Sequence, residues 1–341
     1  MPDTTPQPAH GLAALNSWGI SLDTAGLVAL ADLSSILRRC ALTGTSSILD
    51  AFVIAPGLHR QYKAGDFGIN QGEIPEAVSL DSGHVFHIHN PATVMFFQDM
   101  SETGQLTEFI VEPLNPPKPG WQEKLVKIFD FREESMMSLI FYALAVVLSW
   151  ATILATAIFE DWFAFWGVLA LIFARALNVY TMRRRAHSPG ADGWFGNKYE
   201  RGKRDIFVLL SRDRWVRLKG NVEDMKRVTA GTWLDKPQPH ENWLVSLATL
   251  IVFGDAVVIN NAQNVGKVLL ISLLLITAIL LALVNDRTSC LKMHGRVVRR
   301  VSAVGYEFRL DMVKALKRDV GQHDWAQNLR MLSDGDLARI L

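Results

Sequence analysis

The chain has 341 residues, 49% of them hydrophobic and 20% charged, with a formal net charge of +1. So balanced a charge gives no electrostatic reason to expect nucleic-acid binding. Two apolar blocks, roughly 136–182 and 243–285, set the chain apart from an ordinary soluble globule, although the remainder reads like soluble protein.

The N-terminal 1–20 is expected to be disordered. "MPDTTPQPAHGLAALNSWG" has no basic n-region and no sustained apolar h-region, so the first hydrophobic helix is expected to act as an internal signal anchor. Residues 21–125 read as a cytosolic α+β domain. In "SLDTAGLVALADLSSILRRC", Leu27, Leu30, Leu33 and Leu37 form a helical stripe with Asp23 as N-cap. "SSILDAFVIA", "HVFHIHN", "TVMFFQD" and "TEFIVEP" read as strands between turn residues. "PLNPPKPG" reads as a semi-rigid linker, followed by a helix "WQEKLVKIFDF" leading to the membrane.

His84, His87 and His89 of "HVFHIH" are the nearest approach to a metal site, since His87 and His89 share one face of a strand. Tetrahedral zinc needs further ligands. No cysteine or carboxylate lies at suitable local spacing, and His59 and Asp81 would help only through the fold. Half-exposed strand histidines are therefore the expectation, with no cofactor.

The run Met136–Phe159 is 24 residues without a charge, enough to cross about 30 Å of hydrocarbon as a helix. Trp162–Met182 follows, interrupted only by Arg175, which the spacing places where it can snorkel to the headgroups. Only Phe159, Glu160 and Asp161 separate the two runs, which predicts a tight hairpin over 136–182. Tryptophans 162, 166 and 243 fall at span ends, as in an aromatic belt, while Trp150 falls mid-span and is expected between helices.

Residues 183–242 read as a cytosolic loop carrying a β-β-α unit. "IFVLLS" and "WVRLKG" are its strands and "NVEDMKRVTAG" its helix, closed by Gly231. A unit this small buries no core alone, so it is expected to dock on the N-terminal domain or the membrane surface. A second hairpin, 243–285, joins Trp243–Ile259 to Val268–Val284 through the polar turn "NNAQNVGK". A soluble core of two antiparallel helices is the competing reading for this pair.

Asp255 lies inside "LIVFGDAVVINN". A carboxylate at mid-bilayer costs about 2.5–3.5 kcal/mol on insertion scales. It is expected at the outer interface, or facing the bundle interior beside Ser272, Thr277 or Arg175, or lining an ion or proton path. Gly254 beside it permits close helix approach or a kink.

Residues 286–341 read as a cytosolic, basic, helical tail. Within Arg296–Val320, Val297, Val301, Val304, Phe308, Met312 and Leu316 recur at three or four, accompanied by Arg and Lys. That pattern suits an amphipathic helix on anionic lipid, or one docked on the cytosolic domain. Basic runs after the second and fourth spans place both termini and the middle loop in the cytosol. The absence of any Asn-x-Ser/Thr acceptor and the placement of Cys40 and Cys290 agree.

"NDRTSCLK" matches two positions of the second metal motif of terpene cyclases, but Met293 stands where the acid belongs. Without that carboxylate a magnesium site is not expected. No P-loop, Gly-x-Gly-x-x-Gly, His-Glu-x-x-His or Gly-x-Ser-x-Gly occurs.

The strings "LLSRDRWVRLKGNVEDMKRVTAGTW" and "RRCALTGTSSILDAFVIAP", with a Trp-led apolar hairpin containing "FGDA", resemble a group of uncharacterised fungal polytopic membrane proteins. The resemblance covers about two thirds of the chain. It implies an integral membrane protein and transfers no catalytic residue.

The expected architecture is an α-helical membrane protein with four transmembrane helices as two hairpins and α+β cytosolic regions. Its partners are the lipid bilayer and a second copy of the chain in a homo-oligomer, with no nucleic acid. The leading function is an accessory or scaffolding membrane component. A channel or transporter subunit would need a polar stripe, for which only Asp255 and Arg175 offer material. A membrane-embedded enzyme acting on a lipophilic metabolite would need polar groups converging at one depth, such as Arg175, Asn178 and Asn285.

Overall fold

The computed structural model describes residues 30–31, 34–59, 61, 67–114, 135–187, 202–230, 233–321 and 324–332. The expected helix cap Asp23, the linker from residue 115 onward, the helix at 121–131 and Gly231 lie outside these residues.

Four long apolar helices dominate: α3 (Met136–Ile158), α4 (Trp162–His187), α6 (Pro239–Val258) and α7 (Asn264–Arg287). Each is long and apolar enough to cross a membrane; α3, at 23 residues, measures about 35 Å at about 1.5 Å per residue. Their outward faces carry Leu154, Trp166, Leu250, Val257 and Ile279, all exposed. The sequence underestimated α6, which begins at Pro239. Gln238 caps it, with its N–H donating to Glu241 at 2.8 Å, and Glu241 also meets Arg184 of α4 at 3.2 Å. Tight turns join α3 to α4 and α6 to α7, but the main packing partners are α3 with α7 and α4 with α6.

A seven-stranded mixed sheet, in the order β2-β1-β4-β5-β3-β7-β6, draws on three separate stretches of chain. The first supplies β1 (Glu76–Ser79), β2 (Val85–His87) and β3 (Gln105–Pro113); the stretch between α4 and α6 supplies β4 (Lys203–Leu210) and β5 (Arg214–Asn221). The stretch after α7 supplies β6 (Cys290–Met293) and β7 (Arg296–Gly305). β5 runs parallel to β3, and every other pairing is antiparallel. The expected β-β-α unit therefore forms and docks, with its strands inserted between β1 and β3. One face of the sheet packs on α2 (Pro91–Met100), α5 (Val222–Thr229) and Trp233. The other packs on α8 (Arg309–Val320) and α9 (Asp324–Asn328).

Several local expectations are corrected. "TVMFFQD" is helix α2, not a strand: Asn90 accepts hydrogen bonds from Ala92 N (3.1 Å) and Thr93 N (3.4 Å), and Pro91 occupies the first turn. "SSILDAFVIA" is a 3-10 turn, Ile48–Phe52, followed by extended chain. The N-terminal helix α1 spans Ser35–Thr43 and ends at Gly44, whose φ of +67° and closeness to the Lys292 carbonyl suit only glycine. Arg296–Gly305 is a strand rather than the first half of an amphipathic helix. Its valines suit a pleated surface. Val301 is skipped by a bulge opposite Glu108 and Phe109, so the valine spacing imitates a helical repeat. The second half is helical as α8, but its Met312, Val313 and Leu316 bury against Val78, Phe207 and Trp215.

Candidate functional site

α1 spans the junction of the two halves: Ile36 packs in the bundle, whereas Cys40, Ala41 and Leu42 pack under the sheet. After Gly44 the chain turns back into the bundle. Val53, Ile54, Ala55 and Leu58 pack there against Tyr142, Val168, Leu171, Ala174 and Val252. This non-helical segment lies deep among the four helices. The Phe52 ring lies tilted against Trp150 with centres 5.1 Å apart and His59 tilted against Phe253 at 6.0 Å, both helix positions more than halfway along from the sheet. Trp150 is thus half-exposed against Phe52 and not buried between spanning helices, as the sequence suggested.

Irregular backbone in such a place requires partners for its polar groups, and side chains supply them. Ser47 and Asp50 form a reciprocal cap: Leu49 N donates to Ser47 Oγ (3.3 Å) and Ser47 N to Asp50 Oδ2 (2.7 Å). Asp50 Oδ1 accepts from the Tyr142 hydroxyl at 2.6 Å. Arg175 Nε donates to the Asp50 carbonyl at 3.0 Å, and Arg175 also donates to Gln61 Oε1. Gln61 Nε2 reaches Cys40 Sγ (3.2 Å) and Ser46 Oγ (3.1 Å). Asn178 Nδ2 donates to the Leu58 carbonyl at 3.0 Å. Arg39 donates to Thr288 at 3.2 Å, and its guanidinium lies 5.8 Å from the Tyr142 ring centre.

Arg175 is therefore 1% exposed and does not snorkel, because its charge holds the inserted chain. Asn178, also expected near the cytosolic face, holds the same segment. Asn285 does not join them; its Nδ2 donates to Ser35 O at 2.8 Å on the other flank of α1. Burial holds the Cys40 thiol above its ordinary range, against the opposing charge of Arg175. Asp50, Tyr142, Gln61 and Arg175 are all shielded and mutually bonded, an arrangement that suits clamping rather than bond making.

At the opposite end, Asp161 is 2% exposed and accepts from Ala164 N (3.2 Å) and Gln263 N (2.9 Å), tying the two far turns together. Asp255 lies one turn from the end of α6, is 5% exposed and points into the bundle, where its Oδ2 has no hydrogen-bond partner. The expected partners are elsewhere: Arg175 holds Asp50 and Gln61, and the Thr277 hydroxyl is itself buried without a bond. Close approach beside Asp255 comes from Gly167 of α4, where an added Cβ would lie 3.0 Å from Asp255 Oδ1 and from Ile259. Gly254, the expected close-approach glycine, has nothing within 4 Å of its Cβ position.

His84, His87 and His89 are exposed, with the His87 and His89 rings 6.4 Å apart. Among the described residues no three His, Cys, Asp or Glu converge as a metal site. Sequence reasoning missed Asp50, Gln61, Tyr142 and Asp161. One signal was present: Ser138, Tyr142, Ala145, Ser149, Thr152 and Thr156, all buried, form a small and polar stripe along α3. No family model, curated protein or solved structure matches this chain.

Proposed function

We propose that the chain is a four-span integral membrane protein that holds its sheet domain rigidly against the cytosolic face of a membrane, as an accessory or scaffolding component. The carrying observation is the single sheet drawn from all three stretches that flank the two apolar pairs. Strands that share hydrogen bonds lie on one side of a bilayer, so each pair crosses it twice. Basic residues favour the cytosol for that side: Arg183, Arg184 and Arg185 end α4 and Arg287 ends α7, while the far turns carry Glu160 and Asp161 beside Lys267. Belonging to the fungal polytopic group that the sequence resembles is part of the same proposal.

The packing of Val53, Ile54 and Leu58 into the bundle favours a scaffold over a pore within one chain. Arg175 and Asn178 hold backbone carbonyls, which favours a structural role over chemistry on a metabolite. Two measurements test the proposal. Tags at both termini are expected in the cytosol, and an acceptor site in a lengthened 260–267 turn is expected to be glycosylated. Glycosylation of 188–200 instead would invert the orientation. Protein reconstituted in liposomes is expected to add no ion flux; a flux abolished by Asp255→Asn would replace the scaffold with a channel.

A further inference from the structure

Between the first turn of α1 and the sheet-proximal half of α7 lies a groove of about 570 Å³, within the usual range of small-molecule sites. Its walls differ sharply along its length. Ala278, Ile279, Ala282 and Leu283 of α7 form an apolar floor continuous with the outward face of the bundle, where Leu275 and Ile276 are also exposed. Ser34, Ser35, Arg38, Asn285 and Asp286 form a polar end.

The polar end holds three unmet bonding groups. Asn285 is 5% exposed, and its Oδ1 has no hydrogen-bond partner although its Nδ2 is anchored on Ser35 O. Ser35 Oγ and Arg38 Nε are likewise shielded and unpaired. The first turn of α1 also receives no side-chain cap from Ser34, and a helix N-terminus favours negative charge. Groups withdrawn from water without partners cost about 1–3 kcal/mol each, so three at one end of an open groove point to an occupant.

Their chemistry specifies it. Arg38 Nε and the Ser35 hydroxyl, at the N-terminal end of α1, offer hydrogen to an anion. Asn285 Oδ1 and the exposed Asp286 carboxylate accept from a donor. Arg38 already meets Asp99 at 2.5 Å, so with Asp286 present the groove has no surplus positive charge to favour an anionic headgroup. We infer that this groove binds an ethanolamine phospholipid: the phosphate lies against the α1 turn, Ser35 and Arg38, the ammonium against Asn285 and Asp286, and an acyl chain along Ala278, Ile279 and Ala282. A choline headgroup satisfies the phosphate but has no N–H for the acceptors.

The inference rests on the membrane reading, which alkaline carbonate extraction of native membranes tests separately. Full-length protein in mild detergent is titrated with phosphatidylethanolamine, its choline analogue, phosphatidylglycerol and free phosphoethanolamine, following thermal unfolding. Phosphatidylethanolamine is expected to raise the midpoint at about tenfold lower concentration than the choline lipid, the scale of one lost charge-assisted hydrogen bond. Ala282→Trp, which fills the floor, is expected to abolish the shift while leaving the lipid-free midpoint in place. Should Ala282→Trp not fold, Arg38→Lys decides: it keeps the Asp99 ion pair, loses Nε–H, and is expected to weaken the ethanolamine lipid about tenfold. Equal response to choline, preference for phosphatidylglycerol, equal response to the chainless headgroup, or a shift indifferent to these variants overturns the inference.

Discussion

Tyr142 and Asp50, separated by 92 positions, share a 2.6 Å hydrogen bond in which the buried phenol donates to the buried carboxylate. This single contact joins the inserted 3-10 turn to the first apolar helix. Tyr142→Phe keeps the ring and leaves one carboxylate oxygen unmet, so a loss of about 1–3 kcal/mol is expected. Thermal unfolding in detergent measures it. An unchanged midpoint would show the inserted turn to be held by its apolar contacts alone.

The two close-approach glycines are expected to behave unlike Gly254. Gly266→Ala presses a methyl group against the Asp161 carboxylate and the Ala164 side chain, and Gly167→Ala presses one on Asp255 and Ile259. Both should lower the unfolding midpoint, Gly266→Ala more. Gly254→Ala meets nothing and should gain up to about 1 kcal/mol from helix propensity. The ranking of three midpoints is the check.

Asp255 has an oxygen with no partner to lose, so Asp255→Asn is expected to match or exceed the native stability. Asp255→Lys introduces a longer charged group beside Gly167 and should impair assembly. Yield of monodisperse protein from membranes separates the two. Equal tolerance of Lys would mean that the position is wet.

Acid should loosen α8 before the bundle. The hydrogen bond and charge of Arg217 hold Asp319 below the ordinary carboxylate range. Burial alone would raise Glu108, but Lys219 and Ser302 hydrogen bonds, with the Lys219 and Arg217 charges, hold it below as well. Both folded values are depressed, so the stabilisation is fully present above the ordinary carboxylate range and is lost as pH falls through the lowered values. Hydrogen exchange of 309–320 against pH is expected to show this transition, and Arg217→Met should remove it.

Both cysteines are buried, and burial keeps the Cys40 thiol protonated. N-ethylmaleimide is expected to modify neither in native protein and both after denaturation. Rapid native labelling of Cys40 would mean that the 46–61 segment opens.

The four long apolar helices were legible because their length and hydropathy suffice to mark them. The β4–β5–α5 unit was legible because its β-branched and aromatic runs are bounded by turn residues. Arg175 was misread because sequence gives its depth but not its azimuth, and the chain it faces lies more than a hundred positions away. α2 was misread because it is buried all round from Pro91 to Phe97, which erases the helical period; the Asn90–Pro91 cap was the surviving signal. β7 was misread because one bulge shifted its alternation into a spacing of three and four. Asp255 stands out in the sequence as an acid in an apolar run, but its burial depends on a glycine in another helix, Gly167.

The strand order also dictates a timetable. β3 lies between β5 and β7, which are made only after the first and second apolar pairs respectively. During synthesis β3 therefore has neither neighbour, then one, until β7 has followed the last apolar helix from the ribosome. The N-terminal stretch cannot complete its fold early, as domains ordinarily do, and its long-range pairings favour slow closure. Synthesis of β7 is the event that covers the second edge of β3, so truncation anywhere before it leaves an unpaired edge, a form suited to recognition by quality control.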